Sequence, residues 1–168
     1  MLAYFPYWNE EDFQLMSAEA KLQELGIVLP AAPKPVAAYV PFVRSGDLVF
    51  TSGQICLKDG ALAYKGKIGR DLSPEDGFQA ARICAINTLA VLKSAIGSLD
   101  KVTQIVKVTV FVNSADGFTA QPGVANGASE LYQQVFGEAG RHARSAVGAP
   151  ELPLDTAVEV EVIARVAE

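Results

Sequence analysis

The chain has 168 residues, of which half are hydrophobic and a fifth are charged, and this length and composition are typical of one globular domain with a substantial core. Its net charge of −5 and its lack of a Lys/Arg-rich run argue against binding to nucleic acid, whose phosphates need cationic partners. No apolar run is long enough to span a membrane, so we expect no membrane partner.

The N-terminal part is predicted to be an extension, residues 1–35, that precedes a domain at residues 36–168. Residues 1–15 are rich in aromatic and acidic side chains and lack the positively charged start of a signal peptide, so we expect a cytoplasmic location. A short amphipathic helix is predicted at residues 18–25. The connector that follows, residues 31–35, is expected to be extended because proline restricts its own φ and has no N–H donor.

The domain is predicted to begin with a β-hairpin. Two short apolar segments, residues 38–43 and 48–51, flank the turn sequence RSGD. The sequence SGQ at residues 52–54 ends the second strand, and a glycine there permits the close approach of another backbone. A weaker strand or a loop is expected over residues 55–64.

Two helices have clear boundary signals. The first is predicted to begin after Ser73, an N-cap followed by proline and two acidic residues, and to run to about Ile96, with Gly97 as its C-cap. The second is predicted over residues 122–136, where the apolar residues are spaced to form one buried face.

Residues 105–112 and 157–166 are predicted to be strands with two different faces. One face is valine in both strands, at positions 106, 108, 110 and 112 and at 158, 160 and 162. The opposite face, which we call the mixed face, carries Lys107, Thr109, Phe111, Glu159, Glu161 and Ile163. It is too charged for a core and too apolar for a solvent face, and packing between copies in a homo-oligomer would explain it.

The resulting order, β-β-(β)-α-β-α-β-β, predicts an α+β fold with one sheet and both helices on one face. The last two strands, residues 143–148 and 157–166, are separated by a proline-bounded turn and are predicted to pair as a terminal hairpin. In that hairpin the guanidinium of Arg144 and the carboxylate of either Glu159 or Glu161 would flank one pocket. The alternative is that the glutamates meet water and form ordinary ion pairs that contribute little to stability.

Three further residues each allow two interpretations. Ser52 either positions a ligand or hydrogen-bonds a turn, and Tyr39 either lines a pocket or is a half-buried strand residue. His142 is either structural or functional, and it shares a face with Arg144 if this segment is a strand. The chain has no glycine-rich phosphate loop, no GxSxG motif and no credible Ser-His-Asp set, which favours acid-base or electrostatic chemistry.

The metal-ligating residue types are few. A single histidine excludes a multi-histidine metal centre. Cys56 and Cys84 are far apart in the sequence without CxxC spacing, so they are expected to be small buried residues of a reducing compartment. We therefore predict neither a metal nor a cofactor.

Five segments together resemble the RidA/YjgF family of reactive-intermediate deaminases, which is also labelled endoribonuclease L-PSP. They are AAYVPFV around Tyr39, TSGQ at 51–54, HARSAVG at 142–148, ELP at 151–153 and VEVEVIA at 158–164. The resemblance extends from residue 36 to the C-terminus, and its RS-x-V-x-x-x-x-LP and V-E-x-E-x-I-A patterns are quite specific. It implies a chorismate-mutase-like β-β-β-α-β-α-β-β fold and a homotrimer with three clefts between subunits.

The family is best known for hydrolysing enamines and imines such as 2-aminoacrylate to 2-keto acids and ammonia. By resemblance, Arg144 would bind the carboxylate of an imino or keto acid, and Glu159 would be the acid-base carboxylate with a pKa raised by its neighbour Glu161. The other substrate-binding residues that the resemblance implies are Tyr39, Ser52, Ser129 and the backbone of Ala146.

The chain departs from the deaminase pattern at two of these positions. Ala146 stands where deaminating members often have cysteine, and Ser129 stands where they have asparagine. The resemblance therefore implies imine chemistry without implying 2-aminoacrylate itself. One alternative is a non-catalytic trimer that binds small carboxylic acids or stabilises partner proteins. Another is a ribonuclease, against which the acidic charge and the lack of a basic patch argue.

Overall fold

A computed structural model of the protein describes residues 17–32 and 38–168. Residues 1–16 and 33–37 lie outside the described residues, and they include most of the connector predicted at residues 31–35. The helices and strands of the described part are α1 (Ala18–Glu24), β1 (Phe42–Ser45), β2 (Leu48–Thr51), β3 (Gln54–Ile55), β4 (Leu57–Lys58), β5 (Ala61–Leu62), α2 (Pro74–Ile96), β6 (Val102–Asn113), α3 (Gln121–Phe136), β7 (Ala143–Ala149) and β8 (Val158–Val166). Short 3₁₀ helices lie at Leu99–Lys101, Gly137–Gly140 and Pro153–Asp155.

The main sheet has the strand order β1-β2-β8-β6-β7, and β3 pairs with β8 further along that strand. Its neighbouring strands are antiparallel except for β6 and β7, which are parallel and are joined through α3. The two long helices, α2 and α3, pack on one face of this sheet, and β4 pairs with β5 in a small separate hairpin. The predicted α+β order is confirmed.

The predicted terminal hairpin is wrong. Strand β7 does not pair with β8, because β6 lies between them and pairs with both. Arg144 on β7 is opposite Val108 of β6, and Val108 is in turn opposite Val162 of β8. The alternation of β8 correctly predicts a strand, but alternation does not specify a partner strand. The chain returns from β7 to β8 through the Pro153–Asp155 turn, which includes two residues with positive φ.

The two faces of the sheet are largely as predicted. The valines at positions 108, 110, 112, 158, 160 and 162 are buried under the helices. Val106 is the exception, because a β-bulge between Ile105 and Lys107 leaves it without a partner on β8 and buries Ile105 in its place. A bulge inserts one residue into the alternation, so Ile105, just before it, changes face relative to the prediction.

The boundaries of the two long helices are confirmed. Ser73 and Asp76 form a capping box, in which the Asp76 N–H donates to the Ser73 hydroxyl at 3.1 Å and the Ser73 N–H donates to the Asp76 carboxylate at 2.9 Å. Gly97 ends α2 with φ +85°. Among the described residues, no helix combines the length and the apolar character that crossing a membrane requires.

The predicted short helix is present as α1, and it packs into the same core as the rest of the fold. Leu22 is buried there. The carboxylate of Glu19 accepts hydrogen bonds from the Lys93 ammonium at 2.7 Å and from the backbone N–H of Leu99 at 3.1 Å. Helix α1 is therefore attached to the end of α2, and the division of the chain at residue 35 stays a prediction.

Helices α2 and α3 approach each other closely at Gly127. A methyl group added there would overlap the backbone carbonyl of Phe78 on α2. The glycine therefore has a packing role that outweighs its unfavourable effect on helix stability.

Gly127→Ala is expected to lower the free energy of unfolding by about 2–4 kcal/mol, because the two backbones must separate to admit the methyl group. The matched control is Gly123→Ala in the same helix. An added methyl at Gly123 meets no atom within 4 Å, so it should stabilise the protein by up to about 1 kcal/mol. Chemical denaturation measures the free energy of unfolding of both variants, and equal changes in the two would contradict the packing role of Gly127.

Candidate functional site

Arg144 lies on β7, the last strand of the sheet, and its side chain reaches helix α3. Its Nη1 donates to Asn126 Oδ1 at 2.9 Å and to Ser129 Oγ at 3.0 Å, while Nη2 donates to the backbone carbonyl of Pro122 at 3.3 Å. Asn126 and Ser129 are three residues apart and so lie on the same side of the helix. Helix α3 therefore holds the guanidinium with neutral acceptors.

His142 lies just before β7 and contacts the same serine. Its Nε2 is 2.9 Å from Ser129 Oγ, and its Nδ1 is 2.6 Å from the carbonyl oxygen of Gly140. Burial lowers the pKa of His142, and the nearby Arg144 lowers it further. The expectation that His142 and Arg144 share a face is confirmed, since both bond to Ser129.

These groups line a cleft of about 580 Å³ that is open to solvent. Its lining residues are Asn126, Ser129, Glu130, Gln133, Arg141, His142 and Arg144. Ala146 follows Arg144 by two positions, so it lies on the same side of β7, at the edge of the sheet. At this edge every second backbone group points away from β6 and is available to a ligand or a partner.

Glu159 lies in a different place, on the mixed face of β8. It is opposite Phe111 of β6 and Ile55 of β3. Its carboxylate lies against the backbone of Gly53, where an added methyl group would overlap it. Burial raises the pKa of Glu159, and the neighbouring Glu161 raises it further. The pKa of Glu159 is therefore raised, as the resemblance implied, but burial contributes more to this shift than Glu161 does.

Ser52 directly precedes Gly53, and its hydrogen bonds connect it to the segment that carries Tyr39. The hydroxyl of Ser52 donates to the carbonyl oxygen of Val40 at 2.7 Å, and the backbone N–H of Ser52 donates to the carbonyl oxygen of Pro41 at 2.8 Å. These bonds hold the segment that carries Tyr39 beside Gly53. The side chain of Tyr39 is 59% exposed, so it is accessible to a ligand or a partner chain.

The predicted site residues therefore form two groups in one chain. The arginine half-site consists of Arg144, Asn126, Ser129, His142 and Ala146, and the glutamate half-site consists of Glu159, Gly53, Ser52 and Tyr39. Two strand spacings and three residues along β8 separate Arg144 from Glu159, which corresponds to roughly 14 Å between their Cα atoms. Their side chains also point to opposite faces of the sheet, so one small substrate cannot contact both within one chain.

Sequence reasoning missed the bonds that connect Arg144 to its surroundings. Asn126 and His142 are now part of the arginine half-site, although the sequence suggested no bond for either. The spacing of Asn126 and Ser129 is a usable signal, but the contact between His142 and Ser129 depends on the 3₁₀ turn Gly137–Gly140, which no local pattern indicates. Among residues 17–32 and 38–168, no group of three or more His, Cys, Asp or Glu side chains could hold a metal.

Comparison with known proteins identifies the family. The sequence model of the family described as "YjgF/chorismate_mutase-like, putative endoribonuclease" matches residues 19–166. The chain is 48% identical over 145 residues to "Protein TCP17" of Trypanosoma cruzi, covering 86% of this chain and 91% of that protein. It is 34% identical over 137 residues to the "Putative reactive intermediate deaminase TdcF" of Escherichia coli K12, covering 79% of this chain and 90% of that protein.

A solved structure agrees with these sequence matches. The crystal structure of Atu1372 from Agrobacterium tumefaciens, whose function is given as unknown, superimposes with a TM-score of 0.84 at 43% identity. The superposition covers 89% of this chain and 92% of the Atu1372 chain. The chain belongs to the YjgF/RidA family, and its fold is the chorismate-mutase-like fold of that family.

Glu159→Gln is expected to stabilise the protein at neutral pH. Because the folded-state pKa lies above the ordinary carboxyl value, the ionised group lowers stability above the folded pKa, and this effect disappears as the pH falls below the ordinary value. Allowing for the partial exposure of Glu159, thermal denaturation should show a gain of about 1–2 °C at pH 7.5 and none near pH 4. Glu130→Gln, at an exposed position, is the control, and an equal gain at both pH values would contradict the assignment.

Proposed function

We propose that the protein hydrolyses small 2-imino acids and their enamine tautomers to 2-keto acids and ammonia. The observation that carries this proposal is the way in which Arg144 is held. An arginine has five N–H donors, and three of those of Arg144 are bonded, to Asn126, Ser129 and Pro122. Among the described residues the other two have no partner, and they match the two oxygens of a carboxylate.

Glu159 has the properties of the acid-base group that this reaction needs. In hydrolysis, water adds to the imine carbon, and a C–O bond forms while the C=N electron pair moves to nitrogen. Glu159 would accept a proton from the attacking water and give it to the nitrogen, which forms a carbinolamine. It would then move the hydroxyl proton of this intermediate to the nitrogen, so that the C=O bond forms as the C–N bond breaks and ammonia leaves. The raised pKa of this carboxyl group supports proton exchange nearer to neutral pH.

We further propose that the working site is a cleft between two subunits of a homotrimer, in which one chain provides Arg144 and its neighbour provides Glu159. The separation of the two half-sites within one chain supports this arrangement. The mixed face also supports it, because it exposes apolar side chains that a monomer would leave in water. The exposed apolar residues on this face are Val43, Phe50 and Val147.

The second candidate function is binding of small carboxylates without turnover. It is favoured by the fact that the arginine half-site is complete within one chain, whereas the proposed chemistry needs both half-sites. The name of the E. coli relative favours the deaminase. Neither half-site includes the cationic stripe that RNA cleavage would need for phosphate binding, and ribonuclease remains the least supported candidate.

Replacing Arg144 should greatly reduce hydrolysis. With 2-imino acids generated in situ by an amino-acid oxidase, we expect Arg144→Ala to lower kcat/KM by about 10- to 100-fold, because a charge-assisted bidentate contact is lost. Arg144→Lys should recover little, since an ammonium cannot form the planar fork. The control is Arg82→Ala, whose side chain bonds Gln134 outside the cleft. Carboxylate binding without any turnover by the wild type would favour the second candidate.

Mixing two impaired variants tests whether the cleft is shared. When Arg144→Ala and Glu159→Gln chains are unfolded together and refolded, a cleft is intact only if its Arg144 and its Glu159 come from different parents. Random assembly of trimers should then restore about a quarter of the wild-type activity. Light scattering should give about three times the chain mass of 17.8 kDa. No recovery from correctly sized trimers would place both residues in one chain.

A further inference from the structure

A chain of hydrogen bonds continues from Arg144 through Ser129 and His142 to the backbone of Gly140. The three distances are 3.0 Å from Nη1 to Oγ, 2.9 Å from Oγ to Nε2 and 2.6 Å from Nδ1 to the carbonyl oxygen. Ser129 is only 8% exposed, so water cannot easily replace either of its partners. The family resemblance indicates Arg144 and Ser129, but it gives no role to His142.

The chemistry of the four groups determines the direction of every hydrogen bond. A carbonyl oxygen only accepts, so Nδ1 of His142 carries the proton. In a neutral imidazole Nε2 is then an acceptor, and the hydroxyl of Ser129 donates to it. A guanidinium only donates, so Arg144 donates to a lone pair of the same oxygen. The lowered pKa of His142 keeps the imidazole neutral at neutral pH.

The imidazole is held in this orientation by its neighbours. The ring of Tyr132 meets it edge to face, with centroids 5.8 Å apart, and the buried hydroxyl of Tyr132 is 2.6 Å from Thr88 Oγ1. The carbonyl of Gly140 is equally constrained, because even a methyl group added to this residue would overlap the backbone of Tyr132. The acceptor that His142 presents to Ser129 is therefore preorganised.

We propose that His142 is a positioning residue that acts through Ser129 to orient Arg144 for the carboxylate of a 2-imino or 2-keto acid. The choice of ligand rests on the proposed function. Without an acceptor at position 142, the Ser129 hydroxyl can turn to the carbonyl of Ala125, four residues earlier in its own helix, as helical serines often do. Its lone pairs would then no longer be aligned with Arg144, and the guanidinium would lose part of its support.

The test compares two variants with one ligand. Pyruvate, a small stable 2-keto acid, is titrated into each protein by calorimetry, so that no turnover is needed. His142→Phe keeps a ring against Tyr132 but has no acceptor, and it should weaken pyruvate binding by about five- to tenfold. His142→Gln places an amide oxygen near the position of Nε2 and should stay within about twofold of the wild type.

The role of Ser129 as the intermediate is tested by a double-mutant cycle. In the Ser129→Ala background, His142→Phe should have no further effect on the Kd for pyruvate. With imino acids, His142→Phe should raise KM by the same factor as Kd and leave kcat nearly unchanged, because Glu159 performs the chemistry. Two results would overturn the proposal. One is an unchanged Kd for pyruvate in His142→Phe, and the other is a Kd that His142→Phe raises as much in the Ser129→Ala background as in the wild type.

A measurement on the wild type keeps the proposal testable if a variant fails to fold. Because the chain contains one histidine, ¹⁵N NMR of the imidazole is unambiguous. We expect the neutral tautomer with its proton on Nδ1, and a proton on Nε2 would overturn the proposal.

The calorimetry also distinguishes the positioning role from the proposed function. If pyruvate binding responds to the variants as expected while no imino acid is hydrolysed, the proposed function fails and the positioning role stands. If the wild type binds no pyruvate, both fail.

Discussion

The pairing of β6 with both β7 and β8 is the constraint on which the rest of the structure depends. This strand is buried on one face under the helices, and both of its edges are hydrogen-bonded. Because β7 runs parallel to β6, the chain needs a long connection between them, and helix α3 forms it. That helix brings Asn126 and Ser129 over Arg144. The pairing that separates Arg144 from Glu159 in one chain therefore also provides the partners of Arg144.

The separation has an electrostatic consequence. If Arg144 and Glu159 were adjacent, they would neutralise each other, and the pKa of the carboxyl group would fall. In the part of the chain that the structure describes, neither forms an ion pair. The guanidinium is held by neutral oxygens and stays available to an anion, and the carboxylate, half-buried beside Gly53, stays a proton acceptor of raised pKa.

Local signals predicted most of the elements. The capping box at Ser73 and the glycine stop at Gly97 are both present, because caps depend on residues within one helical turn. The valine faces of β6 and β8 were predicted from alternation, which is also local. The prediction that Val106 lies on the buried face is wrong for a non-local reason, since the bulge at this position exists only in the pairing of β6 with β8. The resemblance to a family indicated Arg144 and Glu159 themselves, but it did not indicate His142.

The amino-acid sequence by itself determined the order of strands and helices, the character of each strand face and the residue types from which the chemistry is built. These follow from periodicity, capping and side-chain chemistry, which act over a few residues. The tertiary structure alone decided which strands are neighbours, so it placed Arg144 beneath Asn126 and Ser129 and away from Glu159. Strand pairing is a non-local choice, made by the burial of whole faces and by the connections available, and no local pattern in the sequence specifies it.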